Sequence, residues 1–284
     1  MATRNRATGW QHAKVSGHKN EDLVTELVMS NPDIQQALLR CANKEGKITG
    51  IAEGGLHEQN VASVLDDTTK SKPDIKMQLS NGGHLNISIK KSWGGQVFLI
   101  QPERFIQGFE IQYDCSIPQN VKRAIMLFFG KAEDTMDIIN QYSSIHEIKQ
   151  YELRKWRLTK DTLEAYNPTL SACLLEWMKA NIVEIFDFCF IRGLAQNDSD
   201  WADVIWYKNL LANEEDPDTL FDMADLKQKI SDNRDLVVYG TRNGGSTIQL
   251  PFGFLQFHNP PKDYPSQNCM QFHHKLSSLR YITR

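Results

Sequence analysis

The sequence predicts an α/β fold with a β-rich C-terminal lobe, on three observations. Apolar residues recur at helical spacing over 20–30 and again over 160–190. Residues 73–92 alternate apolar and polar about an Asn-Gly-Gly turn, as the two strands of a hairpin do. From 236 onward the chain reads as short strands separated by turn residues, so helix and strand mix throughout.

The elements follow in order. Leu23, Val24, Leu27 and Val28 mark a first helix, and Asn31-Pro32 starts the next, with Pro32 near its first position. Residues 120–130 (NVKRAIMLFFG) form a helix that Gly130 stops. Leu170, Leu174, Leu175, Met178, Ile182, Ile185 and Phe186 make an apolar stripe that is core packing and carries no chemistry. Residues 200–208 (DWADVIWYK) predict a buried strand. An acidic stretch follows over 211–234, helical in its second half and without an assigned role. LVVYG, STIQLPFGFLQFHN and NCMQFHHKL are the terminal strands, divided by turns at Arg242–Gly245 and Pro260–Pro265. The expected division is a core at 1–210 and a β-rich lobe at 211–284.

At 284 residues the chain is long enough for one large domain or two small ones. Nothing approaches the roughly 18 consecutive apolar residues of a membrane span, and the basic start MATRNRATGW lacks the apolar run of a secretory signal. The five cysteines (Cys41, Cys115, Cys173, Cys189, Cys269) contain no CxxC pair. The expectation is a reducing cytoplasm, without membrane association, disulfide framework or cysteine zinc site. Net charge is −3 but uneven. Arg4, Arg6, Lys14 and Lys19 open the chain without an acid, and Lys70, Lys72, Lys76, Lys90 and Lys91 form a second basic cluster. Acid gathers at Glu214, Glu215, Asp216, Asp218, Asp222 and Asp225. Such asymmetry suits a phosphate-binding face, and it equally suits solvated surface lysines.

The hairpin KPDIKMQLSNGGHLNISIKKS carries the chemistry. Ile75, Met77 and Leu79 share one face of the first strand; Asp74, Lys76 and Gln78 share the other. On the second strand Leu85, Ile87 and Ile89 oppose Asn86, Ser88 and Lys90. Apolar faces must meet, because a one-residue slip buries the polar set. A three-residue loop at Asn81-Gly82-Gly83 satisfies this and pairs Leu79 with Leu85, Met77 with Ile87 and Ile75 with Ile89. Asp74 then falls opposite Lys90, and Lys76 opposite Ser88. A carboxylate and an ammonium on one face suit phosphodiester hydrolysis. A hard divalent cation takes oxygen ligands, here Asp74 and the carbonyl of Ile89, and lowers the pKa of a bound water. Lys90 orients or helps deprotonate that water and offsets phosphate charge. The bland alternative is a cross-strand salt bridge on a solvated face.

Pro73-Asp74 followed by Ser88-Ile89-Lys90 resembles the motif of the PD-(D/E)xK nuclease superfamily, with Ser88 where the motif has its second acid. Further stretches are similar to the small type II restriction endonucleases of the Msp/HinP type, which cut short GC-rich palindromes as monomers. They are GHKNEDLVTEL; KPDIKMQL through NISIKKSWGGQ; LLEWMKANIVEIFDFCFIRG with Trp177, Asn181, Arg192 and Gly193; and FGFLQFHN through NCMQFHHK. The resemblance implies a mixed central sheet flanked by helices, with 1–210 as catalytic core and 211–284 as DNA-recognition lobe. It makes Asp74 the metal ligand, Lys90 the catalytic lysine and Ser88 a member of the site, and it adds a helix glutamate, Glu21 first and Glu26 second. It implies Mg2+ as cofactor with Mn2+ as a substitute, and double-stranded DNA as substrate. A cognate DNA methyltransferase as partner, a monomer or weak dimer, and a bacterial or archaeal cytoplasm follow.

Base readers are sought among Gln, Asn, Arg, Lys, His and Ser. In the resembled family the segment after the catalytic lysine enters the groove, which makes Lys91, Ser92, Gln96 and Gln101 candidates. The turn with Arg242 and Asn243 offers a base reader or a phosphate clamp, or is only a hairpin turn. Gln256, His258, Gln271 and His273 are unusual for strands, and a reading surface or a polar sheet face explains them. A metal site at His258, Cys269, His273 and His274 lacks zinc spacing. Competing functions are a repair or structure-specific endonuclease, an inactive DNA-binding module with a nuclease fold, and a protein unrelated to nucleic acid.

Overall fold

The computed structural model describes residues 6–54, 60–94, 96–143, 157–258 and 268–283. In chain order the elements are α1 (Arg6–Ser30), α2 (Pro32–Cys41), β1 (Ile48–Gly54), β2 (Asn60–Ala62), β3 (Thr68–Lys70), β4 (Ile75–Leu79), β5 (His84–Lys90), β6 (Gln96–Ile100), α3 (Pro102–Gln112), α4 (Gln119–Phe128) and α5 (Thr135–Tyr142). There follow α6 (Lys160–Tyr166), α7 (Pro168–Ala180), α8 (Ile182–Asp187), β7 (Val204–Tyr207), β8 (Thr219–Leu220), α9 (Met223–Asp232), β9 (Val238–Tyr239), β10 (Thr247–Leu250), β11 (Gly253–Phe257), β12 (Met270–His274) and α10 (Leu276–Ile282).

Local chemistry sets the helix ends. Asn31 caps α2, its side chain accepting from Asp33 N and Ile34 N at 3.1 and 3.2 Å, with Pro32 at the first turn. Asn167 does the same for α7 ahead of Pro168. Gly130, at φ 67°, ends α4 in a left-handed turn: its N–H donates to Leu127 O, and that of Lys131 to Met126 O at 2.8 Å.

The chain divides into two compact units, Met1–Gly95 with Phe190–Gln228 and Gln96–Cys189 with Lys229–Arg284. This differs from a division at 210, and strand pairing gives the reason. β6 takes β12 as its partner, while β8, from the acidic stretch, pairs with β7. The pairings thus carry 96–189 away from the first unit and 211–228 into it.

The first unit holds a mixed five-stranded sheet in the order β1-β4-β5-β7-β8, parallel only between β5 and β7. Central position buries both faces of β5: after half-buried His84, every residue from Leu85 to Lys90 is buried. β7 is fully buried, as its apolar run predicts. The second unit holds an antiparallel sheet in the order β6-β12-β11-β10-β9. Ile248, Leu255 and Phe272 face its core, where Phe105 lies 5.5 Å from both Phe188 and Phe272. The terminal strands stand where the sequence puts them. α10 after them was not foreseen, and it buries Leu276, Leu279 and Ile282 at helical spacing. Among the described residues no helix is long and apolar enough to cross a membrane.

Candidate active site

The β4–β5 hairpin keeps the expected parity but not the expected register. Ile75 pairs with Ile87, Lys76 with Asn86 and Met77 with Leu85, two residues from the pairs the loop length predicted. Leu79 N donates to Gly83 O, so the loop is Ser80-Asn81-Gly82, and Asn81 Oδ1 accepts from Gly83 N at 3.0 Å. A two-residue shift preserves which side chains share a face. It moves Asp74 from opposite Lys90 to beside Ser88.

The acid and the lysine nonetheless meet. Asp74 N donates to Ile87 O at 2.9 Å, fixing the residue just before β4. Its Oδ2 accepts from Ile89 N at 2.6 Å, from Lys90 Nζ at 3.2 Å and from Ser88 Oγ at 3.3 Å. Lys90 Nζ also donates to Ser88 Oγ at 2.5 Å and to Ile89 O at 3.0 Å. An ammonium has three protons, and these three acceptors engage them all. The Lys90 side chain is 6% exposed and that of Asp74 29%, so the carboxylate is the solvent-facing member. A solvated hairpin face does not describe this arrangement. The polar side of β4 and β5 is covered by residues 198–203: Asn86 Nδ2 donates to Ser199 O and Trp201 O, and Lys76 pairs with Asp200 at 2.6 Å.

Glu21 joins the cluster from α1. Burial, and then the Asp74 charge, raise its carboxyl above the ordinary range, against the lowering pull of His18 and Lys90. His18 Nδ1 lies 3.2 Å from its Oε2. Glu26 stays exposed on another side of α1. The helix is held by Asn20, a buried residue whose anchoring role the sequence reading missed. Its Nδ2 donates to Lys208 O at 2.9 Å and its Oδ1 accepts from Leu210 N at 2.7 Å. Lys208 N in turn donates to Lys90 O. The acidic stretch thereby acquires a role: Asp216 and Asp218 hold the Lys208 ammonium at 2.7 and 2.8 Å. A lysine closing a buried strand, with acids shortly after it, was the available signal.

Oxygen donors here are Asp74, Glu21 and the Ile89 carbonyl. Among the described residues no group of three or more His, Cys, Asp or Glu side chains is placed to hold a metal ion. This includes the set His258, Cys269, His273 and His274; Cys269 and His274 are buried while His258 and His273 are half-buried. Two carboxylates and a carbonyl still suit a cation that keeps most of its water, as magnesium does.

The basic cluster is largely neutralised within the first unit. Lys76 pairs with Asp200, Lys90 with Asp74, and Lys91 with Glu214 at 3.1 Å. Ser92 is exposed, its Oγ accepting from Gly94 N. Gln101 occupies the N-cap position of α3. The side chain of Gln96 lies outside the described residues, as do Arg4, Asn259, Gln267 and the turn at 260–265.

The second unit gathers the remaining candidates. Arg242 and Asn243 are exposed and line a cavity of about 580 Å³ with Gln256 and with Arg157, which the sequence reading missed. Arg157 donates to Ser246 O at 3.0 Å and lies over the Phe257 ring. The turn is built by left-handed backbone at Asn243, Gly244 and Gly245; a Cβ on Gly245 would sit 2.5 Å from Lys160 Cβ. Gln256, Gln271 and His273 share one sheet face. Gln256 Nε2 donates to Gln271 Oε1 at 2.7 Å and lies 3.3 Å from His273 Nε2. Burial first, and then Lys275 and His258, push the His273 imidazole down to about 4. His273 stacks on Phe254 at 4.1 Å, and Lys275 lies over the Phe254 ring.

The described residues thus define a two-unit α/β protein in which Ser88 and Lys90, buried on the central strand of a mixed sheet, meet the half-buried carboxylate of Asp74. No family model and no curated protein matches the chain. A solved structure of the restriction endonuclease MspI in complex with its cognate DNA is similar to it at a TM-score of 0.43 and 13% sequence identity, over 84% of this chain and 76% of that chain.

Proposed function

We propose that this chain is a magnesium-dependent endonuclease that hydrolyses phosphodiester bonds in duplex DNA at a short specific site, as type II restriction enzymes do. The observation that carries the reading is the convergence of Asp74, Ser88 and Lys90, with Glu21 close enough to feel the Asp74 charge. Burial and then the Asp74 charge raise the Glu21 carboxyl, and a cation placed between the two carboxylates would relieve that repulsion. Asp74, Glu21 and the Ile89 carbonyl would hold it, and manganese would substitute. When bound, the ion supplies Lewis acidity and a more acidic water. The chain's own residues do the rest. Lys90, buried and charged, offsets negative charge that develops on phosphate. Ser88 fixes the Lys90 nitrogen. Asp74 fixes the strand end through Ile89 N.

The restriction reading carries a cognate DNA methyltransferase as functional partner, a palindromic site, a monomeric or weakly dimeric state and a cytoplasmic location. Ser88 favours a second reading, an inactive DNA-binding module, because an acid is missing where the nuclease motif has one. Plasmid incubated with the purified protein, with and without magnesium, separates these. Discrete fragments support site-specific cleavage, and a smear supports a structure-specific or repair nuclease. Asp74→Ala and Lys90→Ala should abolish cleavage and leave DNA binding largely intact. Full activity in either would sink the site assignment, and no cleavage with any of several divalent metals would sink both nuclease readings.

A further inference from the structure

Across the second unit's sheet, Gln256 on β11 faces Gln271 on β12, which faces Leu99 on β6. The three side chains form one row on one face. Leu99 is 39% exposed and its neighbour Val97 41%, unusual for apolar residues in strands. From this row we infer that Gln256, Gln271 and Leu99 together read an A·T base pair in the major groove; the inference rests on DNA being the ligand.

The argument is one of donors and acceptors. Gln256 Nε2 spends its two protons on Gln271 Oε1 and on His273 Nε2, which accepts because the imidazole is neutral. What the pair still offers is Gln256 Oε1, an acceptor, and Gln271 Nε2, a donor. In this orientation the row presents acceptor, donor and apolar group in succession. With both amides turned over and the imidazole in its other tautomer the first two exchange, and the row would match guanine O6 and cytosine N4–H of a G·C pair instead. The major-groove edge of an A·T pair presents adenine N6–H, thymine O4 and the thymine methyl in that order. A G·C pair also has a donor next to an acceptor, in cytosine N4–H and guanine O6. It would then set guanine N7, an acceptor, under Leu99, where nothing donates to it. Leu99 is thus the discriminating residue and the glutamine pair the anchor. An A·T pair in the site departs from the GC-rich sites of the resembled enzymes.

The test is selection of bound duplexes from a pool with a randomised core, using the full chain in EDTA so that nothing is cut. The wild type should enrich a motif containing an A·T pair. Exchanging that pair for G·C should weaken binding about ten- to a hundredfold. Leu99→Gln, which supplies a donor for guanine N7, should shift preference at that position toward G·C by tenfold or more. Gln271→Ala should relax it, with unchanged melting temperature in both variants showing an intact fold. A motif without an A·T pair, or one that neither variant alters, overturns the inference while leaving DNA binding standing. If the wild type retains no duplex at all, the DNA reading itself falls and the inference with it.

Discussion

The ammonium nitrogen of Lys90 lies 2.5 Å from the hydroxyl oxygen of Ser88, two residues back on the same strand. Both side chains are buried, so this contact is made where water does not compete for it. Ser88 has one proton, shared between Lys72 O and Asp74 Oδ2 at 3.3 Å each, and its lone pair faces the lysine. A carboxylate at this position would give Lys90 a second acid beside Asp74; a hydroxyl adds no charge and only holds the nitrogen in place.

Ser88→Ala follows directly. It removes one of three acceptors from a buried ammonium, which costs about 1–3 kcal/mol. Cleavage should fall severalfold and persist, since Asp74 and Ile89 O still hold the lysine, and thermal melting should drop by a few degrees. Melts and plasmid cleavage rates in one preparation check both. Wild-type values for both would deny Ser88 any part in the site.

The competition between Lys90 and a cation gives a second expectation. Lys90 Nζ occupies Asp74 Oδ2 and Ile89 O, two oxygens that a divalent ion would take. Lys90→Met should therefore bind Mn2+ more tightly than the wild type in the absence of DNA, while losing about 10²- to 10⁴-fold in cleavage. Asp74→Asn should bind it more weakly. Titration calorimetry without nucleic acid reads both, and weaker ion binding in Lys90→Met would refute the competition.

Side-chain parity was legible in the hairpin because a strand has a period of two, so Ile75, Met77 and Leu79 declared their shared face. The register was not, because Asn81-Gly82-Gly83 and Ser80-Asn81-Gly82 both make three-residue loops with the same parity. Hydrogen bonding of Gly83 N to the Asn81 side chain decides between them. Burial of the polar face was invisible for another reason: its cover, 198–203, lies more than a hundred residues downstream. The same distance hid the anchoring of Asn20 by Lys208, a contact between residues 188 apart in sequence. The alternation that revealed the terminal strands could not reveal that β6 joins them, since strand partners are set by tertiary packing.

Asp216 links the acidic stretch to that anchor. Burial alone would raise its carboxyl, but the hydrogen bond from Lys208, joined by the N–H groups of Asn209 and Asp218, holds it below the usual range. A depressed folded-state value means that stability is present above the unfolded value, about 3.9, and is lost as pH falls through the folded one. Asp216→Asn should cost about 1 kcal/mol at neutral pH after solvent screening. The gap should close as the solution is acidified below pH ~3.9. Denaturant titrations of both proteins along a pH series measure it, and a gap that stays constant would remove the ion pair as its cause.

His273 supplies the last prediction. Its value near 4 lies below that of an unfolded histidine, about 6.5. Between those two values the unfolded chain binds a proton that the folded chain does not, so stability falls as pH drops across the window. Burial is the main cause, and the Lys275 charge and His258 add to it. His273→Asn keeps a hydrogen-bonding partner for Gln256 and removes the titration. Melting temperatures measured from pH 7 to pH 4 should thus fall less steeply in the variant, with the divergence opening below pH ~6.5. Groups common to both proteins cancel in the difference. Parallel curves would mean that His273 titrates as an ordinary exposed histidine, and the neutral imidazole that fixes the Gln256 amide would have to be given up.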